Sequence, residues 1–510
     1  YTEIVPDCSS RAQRIRDILM VKVKVIGAGY SGLSVATCLA DKGFQVEIIE
    51  KHNQCGGRSR MFEAEGFKFD MGPSWYWMPE VFENYFGMFG KRVDDYYQLE
   101  RLDPGYRVFF GEHDLIDVPA NENKLNELFE SVEKGSAKKL ALFLEDAAYK
   151  YEVGLTDFVF KPSTSVFEFT NGKVLKGAIK LSLFGSFSKL VRKYFKDPRL
   201  IQIIEFPVLF LGAKPSKIPA LYSLMNYADL KLGTWYPQGG MHKIVDAMKS
   251  LAEEKGVVIS LNESVQSIEV VDGFATKIVT NSREVEADIV IGGADYHHVE
   301  QKLITPEYRT YSKKYWDKRV LAPSCIIFYC GLNKKLKNVQ HHNLFFDEDF
   351  NQHAQEIYDE PQWPSSPLFY VSVPSITDPS VAPEGMENMF LLIPVAPGLS
   401  NDNEELREKY FNIAVARFEN LTNQKIKENI IYKRSYAYSN FVEDYNAFKG
   451  NAYGLANTLK QTAILKPSIK SKKVKNIYFT GQLTVPGPGV PPAIISGQVV
   501  AAEITKDYVI

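Results

Sequence analysis

Val21-Lys22-Val23-Lys24-Val25-Ile26 runs directly into Gly27-Ala28-Gly29-Tyr30-Ser31-Gly32, and the reading of this stretch decides the fold. The alternating Val/Lys run predicts an opening strand. Leu33, Ala36, Leu39 and Ala40 then share one side of a helix that Lys42-Gly43 ends, and Gln45–Ile49 predicts a second strand closing at Glu50. Gly27 permits a tight turn, Gly29 lets backbone approach a pyrophosphate, and Gly32 allows close helix–strand packing, so phosphates rest on amides at a helix N-terminus. Glu50 follows Gly27 by 23 residues, where a carboxylate can accept hydrogen bonds from a ribose hydroxyl. A glycine turn alone is a weak signal. With strand, helix, second strand and terminal acid all in register, the unit predicts dinucleotide binding.

The chain of 510 residues exceeds one ordinary domain. Hydrophobic residues at 45% and charged residues at 24% describe a folded globular chain. Lys plus Arg (60) nearly balance Asp plus Glu (62), so nothing global points to nucleic acid. Aromatics at 13% are rich for an enzyme of small polar metabolites. Five Cys without a CxxC argue against a disulfide scaffold and for a reducing compartment. No uncharged run approaches the ~18 residues a spanning helix needs, which argues against a transmembrane protein. Residues 1–19 have no apolar signal region and are read as a leader or vector-derived arm, with Met20 as the natural start.

A second glycine turn, Cys55-Gly56-Gly57-Arg58-Ser59-Arg60, comes soon after Glu50 where an NAD fold would continue into a crossover helix, and Phe69-Asp70-Met71-Gly72-Pro73-Ser74 is next. The guanidinium of Arg58 suits a pyrophosphate already held by the first turn. Here the sequence resembles the FAD-dependent amine oxidase and phytoene desaturase superfamily, and later segments extend the resemblance in order. Tyr236-Pro237-Gln238-Gly239-Gly240-Met241 precedes an amphipathic helix (Ile244, Ala247, Met248, Leu251), and Val257–Ser260, Val265 and Ala287–Ile291 read as strand segments. Asn476–Gly481 leads through Pro486-Gly487-Pro488-Gly489-Val490-Pro491-Pro492 into a closing helix, which is similar to the last signature of bacterial-type carotenoid desaturases. Val485 and Pro492 depart from that signature's His and final Gly, which leaves substrate geometry open rather than cofactor binding.

The resemblance implies an α/β fold: a Rossmann-type FAD-binding domain of discontinuous segments (20–100, 232–300 and 456–510) with an inserted mixed-sheet and helical substrate domain (101–231 and 301–455). It implies FAD contacts at Gly27, Ala28, Gly29, Gly32, Glu50, Lys51, Gly56, Gly57, Arg58, Gly72, Pro73, Ser74, Val265, Gly481 and Val490. It also implies desaturation of an acyclic or partly cyclised carotenoid, with hydride passing to flavin and quinone or oxygen as terminal acceptor. Desaturation of a 1-hydroxycarotenoid at its 3,4 bond is favoured over phytoene desaturation. The alternatives are a carotene cis–trans isomerase, a retinol-saturase-like flavoenzyme, an amine oxidase, or a non-catalytic lipid binder like the Rab-escort and GDP-dissociation-inhibitor proteins.

From Lys173 to Arg199 there are eight Lys or Arg against one acid, Asp197. Around 184–196, Phe184, Phe187, Leu190, Val191, Tyr194 and Phe195 fall opposite Lys189, Arg192, Lys193 and Lys196, which predicts a basic amphipathic helix at a membrane surface. The expected location is therefore cytoplasmic, peripheral to the inner face of the cell membrane. No nucleophilic triad or metal-spaced cluster stands out. His297-His298 and His341-His342 lack a third ligand, and as adjacent strand residues they would face opposite sides. The catalytic residue is unassigned; Glu205, Asp229 and Asp295 are the acids to test as proton acceptor.

Overall fold

The computed structural model describes residues 20–165, 168, 185–458 and 460–508. The strands Lys22–Ile26 and Gln45–Ile49 pair in parallel, Val25 beside Ile48. Ile289–Gly292 adds to the free edge of the first and Val258–Ser260 to that of the second. Ile477–Phe479 completes a five-stranded parallel sheet whose order is 477–479, 289–292, 22–26, 45–49, 258–260.

A parallel sheet carries helices on its faces, so its strands are covered on both sides. The two lysines of the first strand show how this chain meets that demand. Lys22 lies at the edge of the molecule and pairs with Glu286 at 2.9 Å. Lys24 is buried and its ammonium meets Glu47 of the neighbouring strand at 2.7 Å. Burial alone would raise the Glu47 carboxyl; hydrogen bonds from Lys24, Arg283 and Ser260 override it and hold the group at about 2. On one face the helices Tyr30–Asp41 and Val490–Asp507 pack so closely that a Cβ on Gly497 would come 2.6 Å from the Ser34 Cβ.

A second, seven-stranded sheet has the order 430–436, 324–332, 387–395, 369–372, 342–345, 106–111, 114–118. Every pairing in it is antiparallel except that of His342–Phe345 with Tyr106–Gly111. Side chains alternate between its faces. Phe328, Leu391 and Ile393 pack under the helix Glu404–Thr422 through Phe411, Val415 and Phe418. Cys325, Ile327 and Leu392 face a large interior cavity instead. The strands Val265–Val271 and Phe274–Thr280 form a hairpin that turns at Asp272-Gly273, a residue pair suited to a tight two-residue turn.

The basic stretch corrects one expectation. Lys173, Lys176, Lys180 and Phe184, like residues 1–19, lie outside the described residues. Further along the chain, Phe187–Tyr194 forms a helix capped by the Ser186 hydroxyl. Its apolar side does not face lipid: Phe187, Val191 and Phe195 are buried in the main core, where the Phe195 ring meets Phe129 and Phe143. An apolar stripe that faces a protein core and one that faces a bilayer are the same pattern. On the polar side Arg192 is paired with the buried carboxylate of Glu205. No helix among the described residues is long and apolar enough to cross a membrane.

Candidate active site

The carboxyl ends of the parallel strands open on a cavity of about 530 Å³. Strand ends in such sheets are where the chain must turn, and their free backbone groups are available to a ligand. The first glycine turn leaves Ile26 and is tied down from three sides. Gly27 N–H donates to Ile49 O at 2.9 Å, Ala28 N–H to Glu50 Oε2 at 2.7 Å, and Gly56 N–H to Ala28 O at 2.8 Å. That last bond seats the second glycine turn on the first, and a Cβ on Gly57 would lie 3.5 Å from Gly29 Cα. The third turn approaches from the far end of the chain: Gly481 N–H donates to Ser496 Oγ at 3.0 Å, and a Cβ on Gly481 would lie 3.2 Å from Ser31 Oγ.

Three turns distant in sequence thus share one wall. Gly27, Gly29, Glu50, Lys51, Gly56, Gly57, Arg58, Gly72, Pro73, Ser74, Val265, Gly481 and Val490 all line the cavity. Ala28 and Gly32 stand just behind: Ala28 supplies amide and carbonyl to the bonds above, and a side chain on Gly32 would collide with the Gly27 carbonyl.

Whether this wall fits a dinucleotide can be judged from groups that the protein leaves unmatched. A Cβ on Gly29 would meet no protein atom within 4 Å, and its φ of −75° suits any residue. Neither fold nor backbone requires glycine there, and the bare backbone leaves room for a ligand to approach that amide. Arg58 is the second sign. Its guanidinium sits over the Tyr445 ring at 5.1 Å and reaches Asn451 O at 3.3 Å, while its Nε is buried with no partner. Burial pulls its proton affinity down, with Asp295 opposing. A half-buried guanidinium whose Nε has no acceptor matches a diphosphate. Glu50 accepts from the amides of Ala28 and His52, at 2.7 and 2.9 Å, and each carboxylate oxygen keeps a further lone pair for a ribose hydroxyl. The residues present fit FAD.

Beyond the turns the cavity changes character. Phe206, Leu209, Leu211, Leu344, Phe346 and Ile357 make a dry wall suited to hydrocarbon. Trp75, after the Gly72-Pro73-Ser74 segment, stacks on His342 with ring centres 4.1 Å apart. His342 in turn shares a 2.7 Å hydrogen bond with Tyr370, whose hydroxyl donates to Ser74 Oγ at 2.9 Å.

The three acids considered as proton acceptors are not equivalent. Glu205 is occupied by Arg192 and does not line the cavity. Asp229 also stands off it, holding hydrogen bonds from Tyr106 and Thr234 at 3.0 and 3.4 Å; burial pushes its carboxyl up to about 7. Asp295 does line the cavity, but on the Arg58 side, where it accepts from the amides of His298 and Phe448; burial pushes it up to about 6. The histidine pairs differ from the strand geometry expected. His297 and His298 lie on a helical turn, and the rings of His341 and His342 touch at 4.4 Å rather than facing apart. Among the described residues no cluster could hold a metal ion. Trp75, Tyr370 and Asn457 carry no signal in the sequence, because no motif marks them and each reaches the cavity through distant contacts.

The family model for flavin containing amine oxidoreductase matches residues 30–505. The chain belongs to the flavin-containing amine oxidoreductases. It is an FAD-dependent oxidoreductase, and the resemblance read from the glycine turns extends through nearly the whole chain. The flavoenzyme is 40% identical to a carotenoid 3,4-desaturase of Haloarcula japonica, over 95% of this chain and 98% of the relative. It is 32% identical to a zeta-carotene-forming phytoene desaturase of Myxococcus xanthus, over 95% and 93%. Among solved structures, an oxidoreductase from Methanosarcina mazei matches with a TM-score of 0.62 at 16% identity, over 94% of this chain and 100% of that one. A putrescine oxidase variant matches with a TM-score of 0.62 at 13% identity, over 96% and 99%. At such identities these structures speak for the fold alone.

Proposed function

We propose that this flavoenzyme dehydrogenates a carotenoid, introducing a C=C bond at the 3,4 position of an acyclic end, with a 1-hydroxycarotenoid as the favoured substrate. The observation that carries the proposal is the continuous cavity whose polar glycine-turn wall passes into the aromatic and aliphatic wall around Phe206, Leu209 and Phe346. The 40% identity to a carotenoid 3,4-desaturase supports the choice of bond.

FAD, when bound, supplies the two-electron acceptor for a hydride from an allylic carbon. The glycine turns and Arg58 would hold its diphosphate, and Glu50 would hold the ribose end. Phe206, Leu209, Leu211 and Leu344 keep water from the reacting carbons and align the polyene along the wall. Conjugation would spread the positive charge left on the polyene, so a weak base suffices for the adjacent proton, which would end in solvent as the C=C bond forms. Quinone or oxygen would take the two electrons onward as terminal acceptor.

Peripheral membrane association belongs to the same reading, since the substrate resides in lipid. The helix Phe187–Tyr194 turns its apolar side inward, so the contact is proposed instead through exposed Phe160, next to cavity-lining Val159, and exposed Ile464 and Leu465. Replacing these three by Ser should release the protein from liposomes; undiminished co-sedimentation would refute that contact.

The test of function is incubation of the purified, FAD-loaded protein with phytoene, lycopene and 1-hydroxylycopene, with chromatographic identification of the products. A product two hydrogens poorer at the 3,4 bond is expected. Isomerised or saturated products only would replace the proposal with an isomerase or a saturase.

A further inference from the structure

The dry reach of the cavity contains a polar group that a hydrocarbon cannot use. Asn457 lines the cavity, is 4% exposed, and its side-chain Oδ1 is buried without a hydrogen-bond partner. Leaving a buried amide unsatisfied costs about 1–3 kcal/mol, so such a group in a well-packed wall points to an occupant that completes it. The residue is fixed by its backbone on one side and flanked by a glycine turn on the other. Asn457 N–H donates to Leu211 O at 2.8 Å, fixing it at the end of the Phe206–Leu211 segment. A Cβ on Gly487 would fall 3.0 Å from Asn457 Oδ1 and 3.2 Å from Nδ2, so the amide lies against the Pro486-Gly487-Pro488 turn. Lys466 anchors that turn by donating from Nζ to Pro486 O at 2.8 Å. Two residues beyond Gly487, Gly489 caps the helix Val490–Asp507, whose first residue is on the glycine-turn wall.

We propose that Asn457 recognises a tertiary alcohol at the end of the carotenoid, next to the bond being oxidised. This rests on the 3,4-desaturase reading and adds the residue that selects the substrate. The substrate's chemistry dictates the placement. In a 1-hydroxycarotenoid only one carbon separates the hydroxyl-bearing carbon from the 3,4 bond. A group that reads this hydroxyl must therefore sit at the cofactor end of the hydrocarbon wall, not at its distant tip. Asn457, pressed on the turn that leads into the closing helix, meets that requirement. An alcohol donates and accepts, so it can satisfy the carbonyl oxygen and the amide nitrogen together. Another partnerless polar atom that lines the cavity among the described residues, Trp75 Nε1, only donates; its ring lies 5.7 Å from that of Phe206, at the opposite end of the same segment.

The test compares FAD-loaded wild type with Asn457→Leu and Asn457→Asp. Binding of lycopene and of 1-hydroxylycopene is monitored by the carotenoid absorbance shift, and 3,4-desaturation by chromatography. Wild type should bind the hydroxylated polyene more tightly. In Asn457→Leu that preference should fall by roughly 5- to 100-fold, with flavin content and spectrum as in wild type. Asn457→Asp, which keeps an acceptor in the same place, should retain it. An unchanged preference in Asn457→Leu would overturn the assignment of Asn457 alone. So would an altered flavin spectrum with both ligands weakened alike, since the amide would then serve the cofactor. Wild type that binds neither polyene would overturn the substrate reading, and this inference with it.

Discussion

The carboxylate of Glu50 accepts a hydrogen bond from the amide of Ala28 at 2.7 Å, so the acid that closes the second strand also fixes the turn that leaves the first. Glu50 accordingly shapes the first glycine turn besides lining the cavity. Glu50→Ala should weaken FAD binding by about 1–3 kcal/mol, and Glu50→Gln, which keeps one acceptor, by less. Titration of the apoprotein with FAD, read by flavin fluorescence, measures both.

Gly29→Val should abolish FAD retention without unfolding the chain. A side chain there meets open space and an ordinary φ in the protein itself, and meets only the ligand once FAD arrives. The expected result is a colourless protein with wild-type circular dichroism. Wild-type flavin content would remove Gly29 from the site.

Arg58→Met should separate stability from binding. Its Nε is buried with no acceptor, so removing the group should raise the melting temperature of the apoprotein. FAD binding should weaken by about 1.5–3 kcal/mol through the lost charge-assisted bonds. Calorimetry with and without FAD reads both signs.

Lys466 supplies a pH signature. Burial lowers its ammonium from 10.5 to about 7, so between those values the unfolded chain holds a proton that the folded chain lacks. Its contribution therefore opposes folding in full below about pH 7 and fades as pH rises toward the unfolded value. Lys466→Met removes this dependence. The variant's melting temperature relative to wild type should be highest at pH 7 and decline steadily towards pH 9.

Arg192→Ala should destabilise the protein by about 1–3 kcal/mol, because it strips the buried Glu205 of its cation. Lys193→Ala, on the same exposed face, should stay within about 0.5 kcal/mol of wild type. Urea unfolding distinguishes the two.

The parts of this fold legible in the sequence are those whose physics is local. Gly27, Gly29, Gly56 and Gly57 fall in short motifs of fixed spacing, and the strands beside the first of them keep their own periodicity, so both are readable before any long-range contact forms. The helix Phe187–Tyr194 shows the opposite case: its stripe is legible, but what covers the stripe depends on Phe129 and Phe143, far away in sequence. Asn457 is the extreme. It becomes conspicuous only when Leu211 and Gly487 are brought against it, and no spacing within residues 454–458 announces that meeting.

The order of the parallel sheet constrains how a loaded enzyme can be made. Ile477–Phe479 is an edge strand beside Ile289–Gly292, and the turn it carries supplies part of the wall shared by residues near 29 and 57. A nascent chain that has emerged only through residue 300 possesses two glycine corners and no third. The complete wall is therefore assembled only when the last strand takes its place at the sheet edge.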